Sequence, residues 1–346
     1  MSIDVVNLQK RFGSTQALDG MNFTVHSGKL FGFVGSNGAG KTTTMRIILG
    51  VLEADSGEVL RDGTPLTFAD RQHFGYMPEE RGLYPKMKVG EQLIYLARLH
   101  GLSKEDATAK MEFWTERLGV AGRRDDPVQT LSLGNQQRVQ LAAALIHEPR
   151  VMILDEPFSG LDPLAVDDMS TVLKEQVAQG AIVLFSSHQL DLVERLCDEV
   201  GICSRGKIVA KGTIDELRTT ADIYYDVTTG EDSRLLAGYL SGTALRADDA
   251  TAGAEPLPHL ETQILSPHSL RVKLSAGVSD QDVLRAALSV GTVHGFERFR
   301  PHLNELFANV VSTAPLPQPD VTKKPKRRFL KGKHATTPSL STSQEA

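Results

Sequence analysis

Apolar and polar positions alternate along this chain in blocks that predict its elements. Runs at 3–8, 21–25 and 30–34, separated by a turn near Gly13, have the length and composition of strands. The segment 43–49 reads as the helix that follows, and after the mostly polar segment 53–59 Arg61-Asp62-Gly63 predicts a hairpin-type turn. A short run at 73–77 is again strand-like. From 89 to 118 the pattern turns helical. Leu93, Leu96, Ala97, Leu99 and Leu102 form one stripe and Met111, Trp114 and Leu118 a second, both expected to be core packing. Ser132 is placed to cap a further helix that carries Val139, Leu141, Ala142 and Leu145 and that Pro149 ends. Apolar strands are predicted at 151–154 and 181–185 with a helix between them. A hairpin around Arg205-Gly206 closes the segment. Strands alternating with helices up to about Val200 indicate an α/β fold with a parallel core sheet.

The pattern changes near residue 221. Segments 222–227, 232–240, 259–265, 270–274, 280–288, 293–298 and 303–311 read as strand, helix, strand, strand, helix, strand and a last helix. The β-α-β-β-α-β order suggests a small ferredoxin-like α+β domain. Residues 313–346 are rich in Pro, Ser, Thr and Lys and are expected to be disordered. The expected organisation is a main domain at 1–220 with a helical subdomain at about 85–147, an accessory domain at 221–312, and a basic tail at 313–346.

The chemistry is concentrated after the strand at 30–34. Gly35-Ser36-Asn37-Gly38-Ala39-Gly40-Lys41-Thr42 fits the phosphate-loop pattern G-x-x-x-x-G-K-[ST], between a strand and a helix that begins near Thr43. Its glycines let backbone N–H groups turn inward as an anion nest. Lys41 can reach β- and γ-phosphates, and the Thr42 hydroxyl is placed to ligate Mg²⁺. About a hundred residues on, Asp155-Glu156 caps the strand at 151–154. One carboxylate there can hold Mg²⁺ and the other can polarise a water. His188 follows the strand at 181–185, where switch-point chemistry lies in parallel sheets, and is expected to contact the γ-phosphate. Phe12 lies on a Lys-Arg-Phe-Gly turn where a flat side chain can stack on adenine.

Bulk properties narrow the class. The chain has 346 residues, 40% hydrophobic and 23% charged, as in soluble globular proteins. Its net charge of -5 lacks the basic excess of a nucleic-acid binder. No apolar run is long enough to cross a bilayer and the N-terminal segment lacks a signal-peptide core. The two cysteines, Cys197 and Cys203, fit a reducing cytosol and read as small buried side chains rather than a disulfide or zinc framework.

With these motifs in this order, residues 2–217 resemble an ATP-binding cassette, the motor subunit of a transporter. The resemblance implies a phosphate-loop NTPase fold with a parallel core sheet, an antiparallel β subdomain and a helical subdomain, beside the accessory α+β domain. It implies ATP and Mg²⁺ as ligands and ATP hydrolysis coupled to transport as the activity. In family terms residues 35–42 are Walker A, 131–135 the signature, 151–156 Walker B and 159–162 the D-loop with Asp162. His188 is then the switch histidine and Phe12 the adenine-stacking aromatic. Two departures stand out. The signature reads Leu-Ser-Leu-Gly-Asn, keeping Ser132 and Gly134, and Glu79 stands where the family's Q-loop glutamine is usual, able to coordinate Mg²⁺ but not to donate as an amide.

The resemblance further implies a head-to-tail homodimer in which Ser132 and Gly134 complete the site in trans. A separate membrane permease would dock at a groove near Glu80 to Lys88, placing the subunit on the cytoplasmic face of the membrane, without nucleic-acid partners. Residues 75–84 resemble two-component exporters of drugs, antibiotics or sodium. The alternative reading is a soluble cassette ATPase acting on ribosomes or nucleic acid. The basic run at 323–331 suggests contact with anionic lipid headgroups.

Overall fold

The computed structural model describes residues 1–80, 82–218, 223–241, 260–275, 277–299 and 303. The elements follow in chain order. Three strands open it, β1 (Ser2–Phe12), β2 (Thr15–His26) and β3 (Lys29–Gly35). Then come α1 (Lys41–Ile48), β4 (Ser56–Arg61), β5 (Thr64–Pro65), α2 (Phe68–Arg71) and β6 (Phe74–Met77). Three helices, α3 (Val89–Leu99), α4 (Lys104–Arg117) and α5 (Leu133–Leu145), precede β7 (Val151–Leu154), α6 (Pro163–Ala178) and β8 (Ile182–Ser187). The segment α7 (Leu190–Leu196), β9 (Glu199–Ser204), β10 (Lys207–Thr213) and α8 (Ile214–Arg218) leads to the accessory elements. Those are β11 (Tyr224–Thr229), α9 (Ser233–Leu240), β12 (Thr262–Ser266), β13 (Ser269–Lys273), α10 (Asp280–Val290) and β14 (Val293–Phe299).

The central sheet runs β10-β9-β3-β8-β7-β6, parallel from β9 to β6 with β10 antiparallel at the edge. Its inner strands are apolar on both faces because both faces are covered. Phe31 and Phe33 of β3 point into a core shared with α1 and with the antiparallel sheet β2-β1-β4-β5. Leu30 and Val34 point the other way, into a core built with α3, α5 and α6. Phe23 of β2 stacks on Phe31 at 5.5 Å, which ties the two sheets. Every connection in the parallel part returns its strand in the same direction, so all the loops after β3, β7 and β8 emerge at one edge.

The helical stretch predicted at 89–118 is two helices. Gly101, at φ 91, takes a left-handed conformation after the C-cap His100. Ser103 then caps α4 by accepting a hydrogen bond from the Asp106 N–H at 3.0 Å. Leu99, expected in the core stripe, is 65% exposed because the helix ends there and its face turns out. The helix expected to run to Pro149 ends at Leu145, with Glu148 at φ 55 leading into the proline.

The accessory elements form an antiparallel sheet in the order β12-β13-β11-β14, with α9 and α10 packed on Val227, Leu270 and Val272. This is the ferredoxin-like order expected from β-α-β-β-α-β. Residues Met1–Ser312 make one compact unit. The predicted helix at 303–311 lies outside the described residues apart from Leu303, and so does the tail at 313–346.

Candidate functional site

The phosphate loop is drawn tight by its neighbours. Gly40 sits at φ 106, and a Cβ there would meet the Leu18 Cδ2 at 2.7 Å and the Ala17 carbonyl oxygen at 2.9 Å. Only glycine fits both the backbone angle and the approach of the β1–β2 hairpin. The Ala39 carbonyl accepts from the Gly206 N–H at 2.9 Å and from the Cys203 thiol at 2.9 Å, so β9 and its turn buttress the loop. Burial pushes the Cys203 thiol up to about 12, which keeps it protonated. The helix α1 then starts with no side-chain cap and no acidic residue in its first turn. Its first N–H groups and its dipole are therefore open to an anion.

Lys41 is 7% exposed, and its ammonium donates to the Gly35 carbonyl at 2.7 Å and to the Ser36 carbonyl at 3.4 Å. The charge lies along the loop it would serve. Thr42 and Thr43 are half-buried on the first turn of α1.

The acidic pair stands two strands away, at the end of β7, with β8 between it and the loop. Asp155 is 1% exposed and its N–H donates to the Met77 carbonyl at 2.7 Å. The Ser186 hydroxyl donates to Asp155 Oδ1 at 2.5 Å, whereas Oδ2 is buried with no hydrogen-bond partner. Glu156 has φ 51, a left-handed backbone on a non-glycine residue, of the kind that gathers at working sites. Its Oε2 lies 2.9 Å from His188 Nδ1, and the rest of the His188 ring is open to solvent.

Whether these residues suit Mg²⁺ can be judged from the donors. A buried carboxylate oxygen that lacks a partner and a half-buried hydroxyl at Thr42 are hard oxygen ligands, which match that ion. Among the described residues no three His, Cys, Asp or Glu side chains converge as a cage, so phosphate oxygens would have to share the coordination.

The other predicted residues are placed apart from this cluster. Phe12, 49% exposed at the tip of the β1–β2 hairpin, has the Lys10 ammonium 5.7 Å from its ring centre. Ser132 is the N-cap of α5, accepting from the Asn135 N–H at 3.4 Å, as its position in sequence predicts. Gly134 faces Leu161, and Leu133 packs on Gly160, so the segments 131–135 and 159–162 lie together. Asp162 caps α6 by accepting from the Ala165 N–H at 2.9 Å. Glu79 is exposed in the loop after β6, next to the end of β7. Gln140 of α5 donates to the Pro78 carbonyl at 2.7 Å and holds that loop.

Two features went unread in the sequence. Ser186 is the polar exception at the end of an apolar strand, a visible signal to which no role could be given without the fold. His100 and His147 stack at 3.6 Å and line a groove of about 480 Å³ with Leu83, Leu96 and Arg71. Their pairing joins residues far apart in the chain, so no sequence pattern announces it.

A parallel sheet whose edge presents a glycine-lined cradle, a buried lysine and a strand-end acidic pair defines a phosphate-loop nucleoside triphosphatase. The family model described as ABC transporter matches residues 18–159. An uncharacterised ABC transporter ATP-binding protein of Bacillus subtilis, YhaQ, is 42% identical over 62% of this chain and 72% of its own length. The linearmycin resistance ATP-binding protein LnrL of the same organism is 30% identical over 88% of this chain and 96% of its own. A solved ATP-binding subunit of an ABC transporter superimposes with a TM-score of 0.59 at 33% identity, covering 63% of this chain and 92% of that one. The chain belongs to the ATP-binding, ATP-hydrolysing subunits of ABC transporters.

Proposed function

We propose that this subunit hydrolyses ATP between two copies of itself and passes the closing of that dimer to a membrane permease that exports its cargo. The observation that carries the reading is the shared sheet edge, where the cradle of 35–42, the unpartnered Asp155 Oδ2 and the Glu156–His188 pair face one space.

In this reading the backbone of Gly35, Ser36, Asn37, Gly38, Ala39 and Gly40 surrounds the β-phosphate, with Thr43 beside it. Lys41 leaves the Gly35 carbonyl for the β- and γ-phosphates. Thr42 and Asp155 would hold Mg²⁺, Glu79 would coordinate it or orient water, and Phe12 stacks on the adenine. Mg²⁺, when bound, neutralises charge on the phosphate oxygens. Glu156 accepts a proton from the attacking water, and His188 holds the Glu156 carboxylate and the γ-phosphate in register. Ser132 and Gly134 of a second copy complete the site beside Asp162. The γ-phosphate is the contact that differs between closed and open dimers, so its loss reopens them.

The groove beside Leu83 and Leu96, next to the segment from Glu80 to Lys88, supports docking of a permease helix. No helix among the described residues is long and apolar enough to cross a membrane. The likeness to ATP-binding subunits of ABC transporters supports a separate membrane subunit and a peripheral place on the cytoplasmic face. LnrL, named for resistance, supports export as the direction. The composition of 323–331 supports contact with anionic headgroups. Within the compact unit Met1–Ser312, the separate apolar core of Val227, Leu270 and Val272 supports a division of motor from accessory sheet near residue 220.

Glu156→Gln tests the reading. Loss of a positioned base is expected to slow steady-state hydrolysis by about 10² to 10⁴ fold while ATP binding persists. Turnover at the wild-type rate in that variant would remove Glu156 from the chemistry.

A further inference from the structure

We infer that Ser186 is the positioning residue of the acidic pair, setting with one hydroxyl both the metal-facing oxygen of Asp155 and the backbone of Glu156. The inference rests on the roles proposed above for those two residues.

Ser186 is fully buried on β8, after four apolar residues that fill the same strand, Ile182–Phe185. A hydroxyl in such a place costs free energy unless it is hydrogen-bonded. Here it is bonded twice, and both partners belong to the pair. It donates to Asp155 Oδ1 at 2.5 Å and accepts from the Glu156 N–H at 2.9 Å.

Each bond has a distinct consequence. The first turns the Asp155 carboxylate so that Oδ1 is occupied and Oδ2 is the oxygen left bare. A carboxylate fixed by a neighbour in this way offers a metal one defined ligand atom, with no rotamer to freeze on binding. The second holds the N–H of Glu156 at φ 51, a left-handed conformation that costs a non-glycine residue free energy. That backbone sends the Glu156 carboxylate toward His188, 2.9 Å away. Ser187, also buried, has a different task, accepting from the Gln189 N–H at 3.0 Å where the chain turns to expose His188. Consecutive residues at the end of β8 thus address Asp155, the turn, and the Glu156 side chain.

The test compares wild type, Ser186→Ala, Ser186→Thr and Asp155→Asn in the full chain, with Mn²⁺ as the probe metal and a non-hydrolysable ATP analogue as the nucleotide. Calorimetry gives nucleotide affinity with saturating Mn²⁺ and in EDTA, and the ratio is the metal-linked gain. The gain is expected to fall roughly 10- to 100-fold in Ser186→Ala, toward that of Asp155→Asn, with metal-free affinity within about two-fold of wild type. Ser186→Thr, which keeps the hydroxyl, is expected to retain the wild-type gain. An unchanged gain in Ser186→Ala beside a lost gain in Asp155→Asn overturns the inference alone. Equal losses with and without metal in Ser186→Ala also overturn it, since they mark a packing role. A wild-type gain retained in Asp155→Asn overturns instead the metal role of Asp155, and the inference with it.

Discussion

At the scale of the residue, burial decides what each charged or titratable group can do. Lys41 is buried yet satisfied by two loop carbonyls, an arrangement that keeps its charge at the cradle while side-chain rotation alone would carry it to a phosphate. His147 shows the opposite case. Its Nε2–H donates to the Phe74 carbonyl at 3.2 Å, leaving Nδ1 buried and bare against the His100 ring. Burial foremost, and then the His100 charge, lower its pKa from 6.5 to about 4, with His73 adding a little and the Phe74 bond opposing. Between those values the unfolded chain binds more protons than the folded one, so His147 favours folding above pH 6.5 and that contribution is lost as the pH falls toward 4. His147→Phe keeps a ring on the stack without the titration. Its denaturant midpoint is expected to fall less steeply than that of wild type between pH 6.5 and 4, measured by urea unfolding at each pH. At this scale the phosphate loop and the acidic pair could be singled out as candidates because each is a run of adjacent residues, and His188 because it follows an apolar strand. The Ser186 and His147 contacts could not, because their partners lie about 30 or more residues away and only packing joins them.

At the scale of the element, the helical part is fixed to the core through α6. Arg138 of α5 donates to the Leu118 carbonyl at 2.9 Å, at the end of α4, and to Asp168 of α6 at 2.8 Å. Arg117 of α4 pairs with Glu175 further along α6. One planar guanidinium therefore ties three helices through two separate nitrogens, a span that the single nitrogen of a lysine does not reproduce. Arg138→Met is expected to lower stability by about 1–3 kcal/mol, and Arg138→Lys to recover less than half of it. Both are read from chemical denaturation, and an unchanged midpoint in Arg138→Met would show that the tie contributes nothing. Periodicity located these helices but merged α3 with α4. The apolar stripes continue across the break, and Gly101 with the Ser103 cap outweighs them locally. Periodicity also missed α2, α7 and α8, each at most seven residues long and too short to show a repeat.

At the scale of the whole molecule, the chain leaves the motor and returns to it. Arg218, at the end of α8, pairs with Glu194 of α7, and the Leu303 N–H donates to the same carboxylate at 3.0 Å. Leu303 is fully buried in the core that also holds Val183, Leu192 and Leu196. The chain past the accessory sheet therefore contributes to the stability of the motor. Leu303→Ala is expected to cost roughly 2–5 kcal/mol, seen as a lower unfolding temperature with hydrolysis per folded molecule retained. A melting curve identical to wild type would place Leu303 outside the cooperative core. The sequence by itself determined the class of fold and the β-α-β-β-α-β succession of the accessory elements, and it singled out the residues proposed above to bind nucleotide. Those depend on local spacing and on residue types that few other arrangements use. Tertiary structure alone decided which oxygen of Asp155 is bare, which strand stands between the cradle and the acids, and where Leu303 inserts. Each of these depends on segments distant in sequence meeting in space, and the free energy of such meetings is carried by shared burial that no single segment encodes.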